Sequence, residues 1–192
     1  TIDYACGGHA GVEVDIKTDN YLKSTPGGAP AIGGTKISIK NSEITKAEGG
    51  SKAAAIGARF WQSTEIEIIG SKIYAAIGGN SAAGIGGSRY SNDISVDNKQ
   101  ISMVKIEEST VNATGGYYGA GIGAGYDTHC KANDANAVNH IEIINSTVNA
   151  QGGMYAAGIG TGYHSAALTG SIDAASTINA VSGETFYKDT YT

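Results

Sequence analysis

Aromatic side chains recur at fixed distances from a repeated Ile-Gly dipeptide. The isoleucines of this dipeptide are Ile32, Ile56, Ile85, Ile122 and Ile159. Four residues after the last four come Phe60, Arg89, Tyr126 and Tyr163, and one residue later come Trp61, Tyr90, Asp127 and His164. On the other side of the dipeptide stand Tyr118 and Tyr155, with Tyr117 beside them. Residues repeated at equal spacing predict a row of rings along one edge of a repeat structure.

Such a row has the chemistry of a carbohydrate-binding surface. Aromatic faces pack against the C–H faces of sugar rings, and neighbouring polar groups bond the hydroxyls. The candidate ligand-binding residues are Trp61, Tyr90, Tyr118, Tyr126, Asp127, Tyr155, Tyr163 and His164. The alternative is that the rings only shield the end of the core beneath loops, a role that needs no ligand.

Acidic residues do not form a catalytic pattern. Hydrolysis of a polysaccharide needs paired carboxylates, and elimination needs calcium ligands with a basic group. Asp93 and Asp97 are four residues apart and Asp127 and Asp134 are seven apart, all in polar loops. A calcium site built from Asp127, Asn133 and Asp134 is an open alternative, but these residues have no diagnostic spacing. We therefore expect no catalytic residue, no metal site and no cofactor.

The two cysteines do not form a recognisable site either. Cys6 lies near His9 and Cys130 follows His129, but neither shows the paired spacing of a zinc site. In a stacked repeat the two cysteines belong to coils about 15 Å apart, which exceeds the reach of a disulfide. We expect two free thiols unless a terminal segment folds back.

Charge and hydropathy exclude two classes of partner. The formal net charge is −5 and no cluster of Lys and Arg is present, so the sequence predicts no binding to nucleic acid. No apolar run is long enough to cross a bilayer, which predicts no membrane insertion.

The elements that position these residues follow from a second repeated pattern. It reads Ile-x-Ile-x-x-Ser-x-Ile/Val, with copies beginning at Ile37, Ile66, Val104 and Ile141. The apolar period of two indicates strands, and a Gly-Gly turn then leads to the Ile-Gly segment. Three short strands per repeat, stacked on their neighbours, predict a right-handed parallel β-helix. The fold class is all-β, a single-domain solenoid of about five to six coils.

Stacking predicts columns of like residues. Two inward columns are Ile39, Ile68, Ile106 and Ile143, and Ile44, Ile73, Val111, Val148 and Ile178. A serine corner contains Ser42, Ser71, Ser109, Ser146 and Ser176, which we expect to hydrogen-bond along the stack. Outward columns include the alternating charges Glu67, Lys105 and Glu142 and the threonines Thr110, Thr147 and Thr177.

Length varies at one place in the repeat. Successive Ile-Gly dipeptides are 24, 29, 37 and 37 residues apart, and the added residues follow the dipeptide. We therefore expect variable loops on one edge, at 58–65, 87–102, 124–140 and 161–170. Within a single domain spanning 1–192, residues 1–27 are expected to form a partial N-terminal coil, 28–183 the repeats and 184–192 a tail or cap.

The alternation of Gly-Gly-Tyr-Tyr-Gly-Ala-Gly-Ile-Gly-Ala-Gly with Ile-Glu-Ile-Ile-Asn-Ser-Thr-Val-Asn-Ala resembles right-handed β-helix repeats of large bacterial secreted or surface proteins. Those proteins are often described as adhesin-like or carbohydrate-binding. The resemblance implies a secreted or cell-surface location and a glycan or host-surface polysaccharide as partner. It carries over no catalytic residue.

Several functions remain open from the sequence. The leading hypothesis is a non-enzymatic extracellular recognition or adhesion module that binds glycan along the aromatic edge. The alternative is a structural stalk or a self-assembling fibre subunit, because neither end of the chain offers the amphipathic helix that commonly closes a solenoid. We therefore expect either end-to-end self-association of copies or continuation into a larger polypeptide. A polysaccharide lyase or hydrolase and an ice-binding protein are less favoured by the sequence.

Overall fold

The computed structural model describes residues 29–57, 64–89, 103–127, 140–165 and 168–183, and the backbone of 12–14 and 21–23. Throughout these ranges the chain forms strands, turns and bends. None of the described residues form a helix long and apolar enough to cross a membrane.

The strands are short and follow one another around the coils. In chain order they are β1 (Val12–Val14), β2 (Tyr21–Lys23), β3 (Ile32–Gly33), β4 (Lys36–Lys40), β5 (Glu43–Ile44), β6 (Lys46–Glu48), β7 (Ile56–Gly57), β8 (Glu65–Ile69), β9 (Lys72–Ile77), β10 (Ile85–Gly86), β11 (Met103–Glu107), β12 (Thr110–Thr114), β13 (Ile122–Gly123), β14 (His140–Ile144), β15 (Thr147–Gln151), β16 (Ile159–Gly160), β17 (Thr169–Ile172) and β18 (Thr177–Val181).

These strands form three parallel sheets. The first sheet has the order β1-β4-β8-β11-β14-β17 and the second β2-β6-β9-β12-β15-β18, with β5 also paired to β9. The third has the order β3-β7-β10-β13-β16. Each strand pairs with its equivalents in the preceding and following coils. The predicted parallel β-solenoid is therefore confirmed.

The inward columns stack in the predicted register. Ile39 pairs with Ile68, Ile68 with Ile106 and Ile106 with Ile143. The column then continues to Ile172 in β17. The side chains from Ile39 to Ile143 in this column are completely buried, so each coil contributes to one continuous core.

The serine corner is also confirmed. The Oγ atoms accept hydrogen bonds from the backbone N–H of the serine one coil earlier, at 3.1 Å from Ser42 to Ser71 and 3.0 Å from Ser71 to Ser109. The same bond joins Ser109 to Ser146 and Ser146 to Ser176, each at 3.1 Å. These hydroxyls therefore link successive coils where the chain turns from the first sheet to the second.

Small residues bring the third sheet close to the second. A Cβ added at Gly84 would lie 2.7 Å from the carbonyl oxygen of Ala76 and 2.8 Å from that of Thr114, both in second-sheet strands. Since real Cβ atoms do not approach so closely, the close approach of these two walls requires glycine there.

The predicted charge column is aligned, but its closest ion pair was not foreseen. Lys105 lies beside Glu67 and Glu142 in register. Its Nζ instead contacts Glu107 of the same strand, at 2.8 Å, while Glu67 contacts Lys40 at 3.0 Å. The hydrogen bond to Glu107 raises the pKa of Lys105, and the two aligned glutamates add smaller contributions in the same direction. These outward charged side chains form ion pairs on the solvated surface of the sheet and do not cluster into a binding or catalytic site.

Candidate functional site

A tight backbone reversal brings together the residues on the two sides of each Ile-Gly segment. The N–H of Ala120 donates to the carbonyl oxygen of Ala124 at 3.0 Å, which closes the chain around β13. As a result the rings of Tyr118 and Tyr126 have centroids only 5.2 Å apart. The repeat therefore converts a sequence separation of eight residues into a direct side-chain contact.

The next coil contains the same reversal. The N–H of Ala157 donates to the carbonyl oxygen of Thr161 at 3.0 Å, and the rings of Tyr155 and Tyr163 are 5.2 Å apart. The coils are joined through the backbone, because the N–H of Tyr163 donates to the carbonyl oxygen of Tyr118 at 2.9 Å. Two pairs of rings are thus held one above the other.

Together these rings form one continuous cluster, which we call the aromatic patch. Its members are Tyr117, Tyr118, Tyr126, Tyr155, Tyr163 and His164.

The patch has an inner layer whose faces contact other rings. Tyr163 stacks on Tyr118 at 5.5 Å, on Tyr126 at 5.9 Å and on His164 at 4.0 Å between centroids. It also contacts Tyr155 in a tilted arrangement. Tyr118, Tyr126 and Tyr163 are only partly accessible. These three rings support the patch more than they present it to solvent.

The outer layer is open to solvent. Tyr117 is 44% exposed and Tyr155 is 38% exposed, and the His164 side chain is also exposed. Tyr117 meets Tyr118 edge to face, with centroids 4.5 Å apart. The exposed rings are therefore positioned by the inner ones and offer a firm surface at little entropic cost.

A cation lies beneath the patch. Arg89 occupies the repeat position of Tyr126 one coil earlier, and its guanidinium carbon lies 5.1 Å from the centroid of the Tyr126 ring. This distance is within the range of a cation–π interaction. Arg89 extends the stack by one coil and anchors the inner layer electrostatically.

Three residues of the patch edge have backbone conformations that favour glycine. Asp127 has φ of 55°, His164 of 57° and Tyr155 of 64°. Asp and His tolerate this region more often than other residues, but a bulky tyrosine there is an outlier. Such conformations cost on the order of 1–3 kcal/mol and concentrate at functional sites. These three positions therefore carry side chains, although glycine would adopt the same backbone conformations with less strain.

The structure places the predicted residues as follows. Tyr118, Tyr126, Tyr155, Tyr163 and His164 meet in the patch. Asp127 is tied to its rim, because its N–H donates to the carbonyl oxygen of Tyr163 at 2.9 Å. The remaining candidates, Trp61 and Tyr90, lie outside the described residues.

Sequence reasoning left two residues out of the candidate set, one in the patch and one in contact with it. Tyr117 is the most exposed tyrosine of the patch, and its only signal was its place beside Tyr118. Arg89 could have been included because it shares the repeat position of Tyr126 and Tyr163. An arginine in a column of aromatics stacks on the next ring as an aromatic would.

Within the described ranges no group of three or more His, Cys, Asp or Glu residues could hold a metal ion. Asp127 is described, but the other residues considered for calcium or thiol chemistry lie outside the described residues: Cys6, His9, Asp93, Asp97, His129, Cys130, Asn133 and Asp134.

Comparisons of the chain with protein-family models, with curated proteins and with solved structures give no match.

Proposed function

We propose that this protein is a non-enzymatic extracellular recognition module that binds glycan through the aromatic patch. The observation that carries the proposal is the division of the patch into supporting rings and exposed ones. Tyr117 and Tyr155 keep 44% and 38% of their surface exposed, although the inner rings they contact are half-buried.

The polar groups of the rim complement these rings. Asp127 and His164 occupy equivalent positions on successive coils, and His164 stacks on Tyr163, the ring that also contacts Tyr155. A carboxylate accepts hydrogen bonds from sugar hydroxyls, and an imidazole can either donate or accept. A sugar lying on Tyr155 would therefore have hydrogen-bonding groups within its reach at the patch edge.

The competing explanation is that the rings only shield the core. It accounts for Tyr118, Tyr126 and Tyr163, which are half-buried against one another. It does not account for Tyr117 and Tyr155, because so large an exposed fraction covers little core, and Tyr155 also adopts a strained backbone conformation. A bound ligand would require ring faces that are open to solvent, and the two outer rings provide them.

The test is a glycan array followed by calorimetric titration of the wild-type protein and of Tyr117→Ala combined with Tyr155→Ala. We expect the double variant to lose about tenfold or more in affinity, since exposed aromatic anchors each contribute about 1 kcal/mol or more. Replacing the same residues with Phe keeps the ring faces and should retain most of the binding.

A surface variant away from the patch provides the second control. Lys36→Ala removes an exposed side chain of the first sheet and should bind as the wild type does. Equal affinity in the wild type and in the Tyr→Ala double variant, with both folded, would exclude the patch as the binding site.

A second candidate function, self-assembly into a fibre or stalk, is favoured by the last described coil. Ile172 belongs to an inward column yet is 51% exposed, and Ile178 in the neighbouring column is only partly buried. Apolar core positions open at the end of a stack favour the docking of another coil.

Sedimentation velocity across a range of concentrations tests for this self-association. Ile172→Asp should abolish any association, and a strict monomer at the highest concentration would exclude it.

A further inference from the structure

The outward face of the second sheet carries three aligned columns of side chains over the coils of β12, β15 and β18. They are Thr110, Thr147 and Thr177, then Asn112, Asn149 and Asn179, then Thr114, Gln151 and Val181. None of these residues is charged, whereas the preceding strand β9 begins with Lys72. Hydroxyl and amide groups therefore repeat at the spacing of the coils, about 4.8 Å.

An open groove runs along the solenoid axis between the second and third columns, and we call it the amide groove. Its walls are Asn112, Asn149 and Asn179 on one side and Thr114, Gln151 and Val181 on the other, with Ala113 and Ala150 also lining it. Side chains that can donate and accept hydrogen bonds thus stand on both walls, and the groove carries no formal charge.

Part of this hydrogen-bonding capacity is fixed by the protein and part is available. Asn149 Nδ2 donates to Asn112 Oδ1 at 2.8 Å, and Asn112 Nδ2 donates to the carbonyl oxygen of Ile73 at 3.4 Å. These bonds orient the two amides. Within the described part of the chain, the side chains of Gln151 and Asn179 make no hydrogen bond to the protein, so their amides can bond a ligand.

The amide groove and the aromatic patch are adjacent on the same two coils. Tyr117 follows Thr114 by three positions, and Tyr155 follows Gln151 by four positions. These separations correspond to at most about 11 Å and 14 Å of extended chain. A Gly-Gly corner lies between the groove and the patch in each coil, so a ligand on the outer rings would need to pass one corner only.

We infer that the amide groove is a second part of the same binding site, and that the ligand is a linear, neutral polysaccharide long enough to cross from the patch onto the groove. This inference rests on the proposed glycan-binding function. An uncharged groove offers no compensation for carboxylates or sulfates, whereas paired walls of amides and hydroxyls match the donors and acceptors of sugar hydroxyls.

The groove does not have the features of a peptide-binding site. Peptides in extended conformation usually add to a free sheet edge and place alternate side chains in pockets. The amide groove lies instead on the face of strands that are already paired on both sides in β12 and β15.

The test compares ligand lengths. The wild type is titrated with cello-, xylo- and manno-oligosaccharides from dimer to hexamer. Two double variants are titrated in the same way. The groove variant combines Gln151→Ala with Asn179→Ala, and the patch variant combines Tyr117→Ala with Tyr155→Ala. We expect the groove variant to lose about three- to tenfold in affinity for the hexamer and nothing for the dimer, since one or two hydrogen bonds disappear. The patch variant should lose affinity for both lengths.

Thr147→Ala is the matched control, because Thr147 faces outward on the same strand but does not line the groove.

The inference would be overturned if the groove variant and the wild type had equal affinity for the hexamer while the patch variant lost binding. That result would leave the proposed function intact. Failure of the wild type to bind any of these oligosaccharides would overturn the inference. Shaping of ice crystals by the wild type, lost in Thr147→Ala, would assign the face to ordered water and also overturn it.

Discussion

The serine corner and the aromatic patch are both built by repetition, yet they differ in how freely their residues vary. The corner has serine in every coil from Ser42 to Ser176. The patch position that follows the Ile-Gly segment holds Arg89, Tyr126 and Tyr163 in successive coils. The difference shows which positions the solenoid needs for stacking and which it leaves open for function.

The reason lies in which group joins one coil to the next. At the corner the side chain makes the connection, since Ser109 Oγ accepts the N–H of Ser71 at 3.0 Å and donates to the carbonyl oxygen of Glu107 at 2.7 Å. At the patch the backbone makes the connection, through the N–H of Tyr163 and the carbonyl oxygen of Tyr118. The patch side chains can therefore vary without loss of the backbone hydrogen bond that joins the coils.

The largest expected effect follows from removing one corner hydroxyl. Ser109→Ala leaves the buried N–H of Ser71 without its acceptor, so we expect a loss of about 1–3 kcal/mol in the free energy of unfolding, measured by urea titration. Ser38→Ala, on the outward side of the first sheet, should change it by less than about 0.5 kcal/mol. Equal values for the two variants would remove the distinction between corner and surface.

A somewhat smaller loss is expected inside the patch. Tyr163→Ala removes the ring that contacts Tyr118, Tyr126, Tyr155 and His164, and we expect destabilisation of about 1–2 kcal/mol in the same titration. Tyr163→Phe preserves the ring contacts and should lie closer to the wild type. An unchanged stability in Tyr163→Ala would mean that the inner layer does not support the patch.

The outer layer should show the opposite balance between stability and binding. Tyr117→Ala removes an exposed ring, so we expect the free energy of unfolding to change by less than about 0.5 kcal/mol. Glycan affinity should nevertheless fall in the same variant. A large loss of stability with unchanged binding would place Tyr117 among the supporting rings.

The smallest effect concerns the last described coil at low pH. Hydrogen bonds to the Asp173 carboxylate, first from the Ser176 hydroxyl and then from the N–H of Asn145, lower the pKa of Asp173. The stability from this group is therefore present above its unfolded pKa of about 3.9 and is lost as the pH falls through the lower folded value.

Amide hydrogen exchange at Asn145 should accordingly quicken as the pH falls below about 4, after correction for intrinsic rates. Asp173→Asn is the control, since it removes the titration and should give protection that varies little with pH. Protection at Asn145 that stays constant with pH in the wild type would contradict the role of the carboxylate.

The sequence alone determined the coil, its three strands, the register of its columns and the serine hydrogen bonds. These features follow from a local pattern that each coil repeats, such as Ile68, Ile106 and Ile143 at equal places, and stacking is the arrangement that buries them all. The same repetition predicts that Tyr118 and Tyr155 occupy equivalent places on neighbouring coils.

Only the tertiary structure decided how the side chains share their contacts. It directs Lys105 to Glu107, separates the inner rings from the exposed Tyr117 and Tyr155, and forms the amide groove. The physical reason is that a repeat specifies positions along the chain, whereas exposure and partner choice depend on side-chain rotamers and on neighbours from other coils.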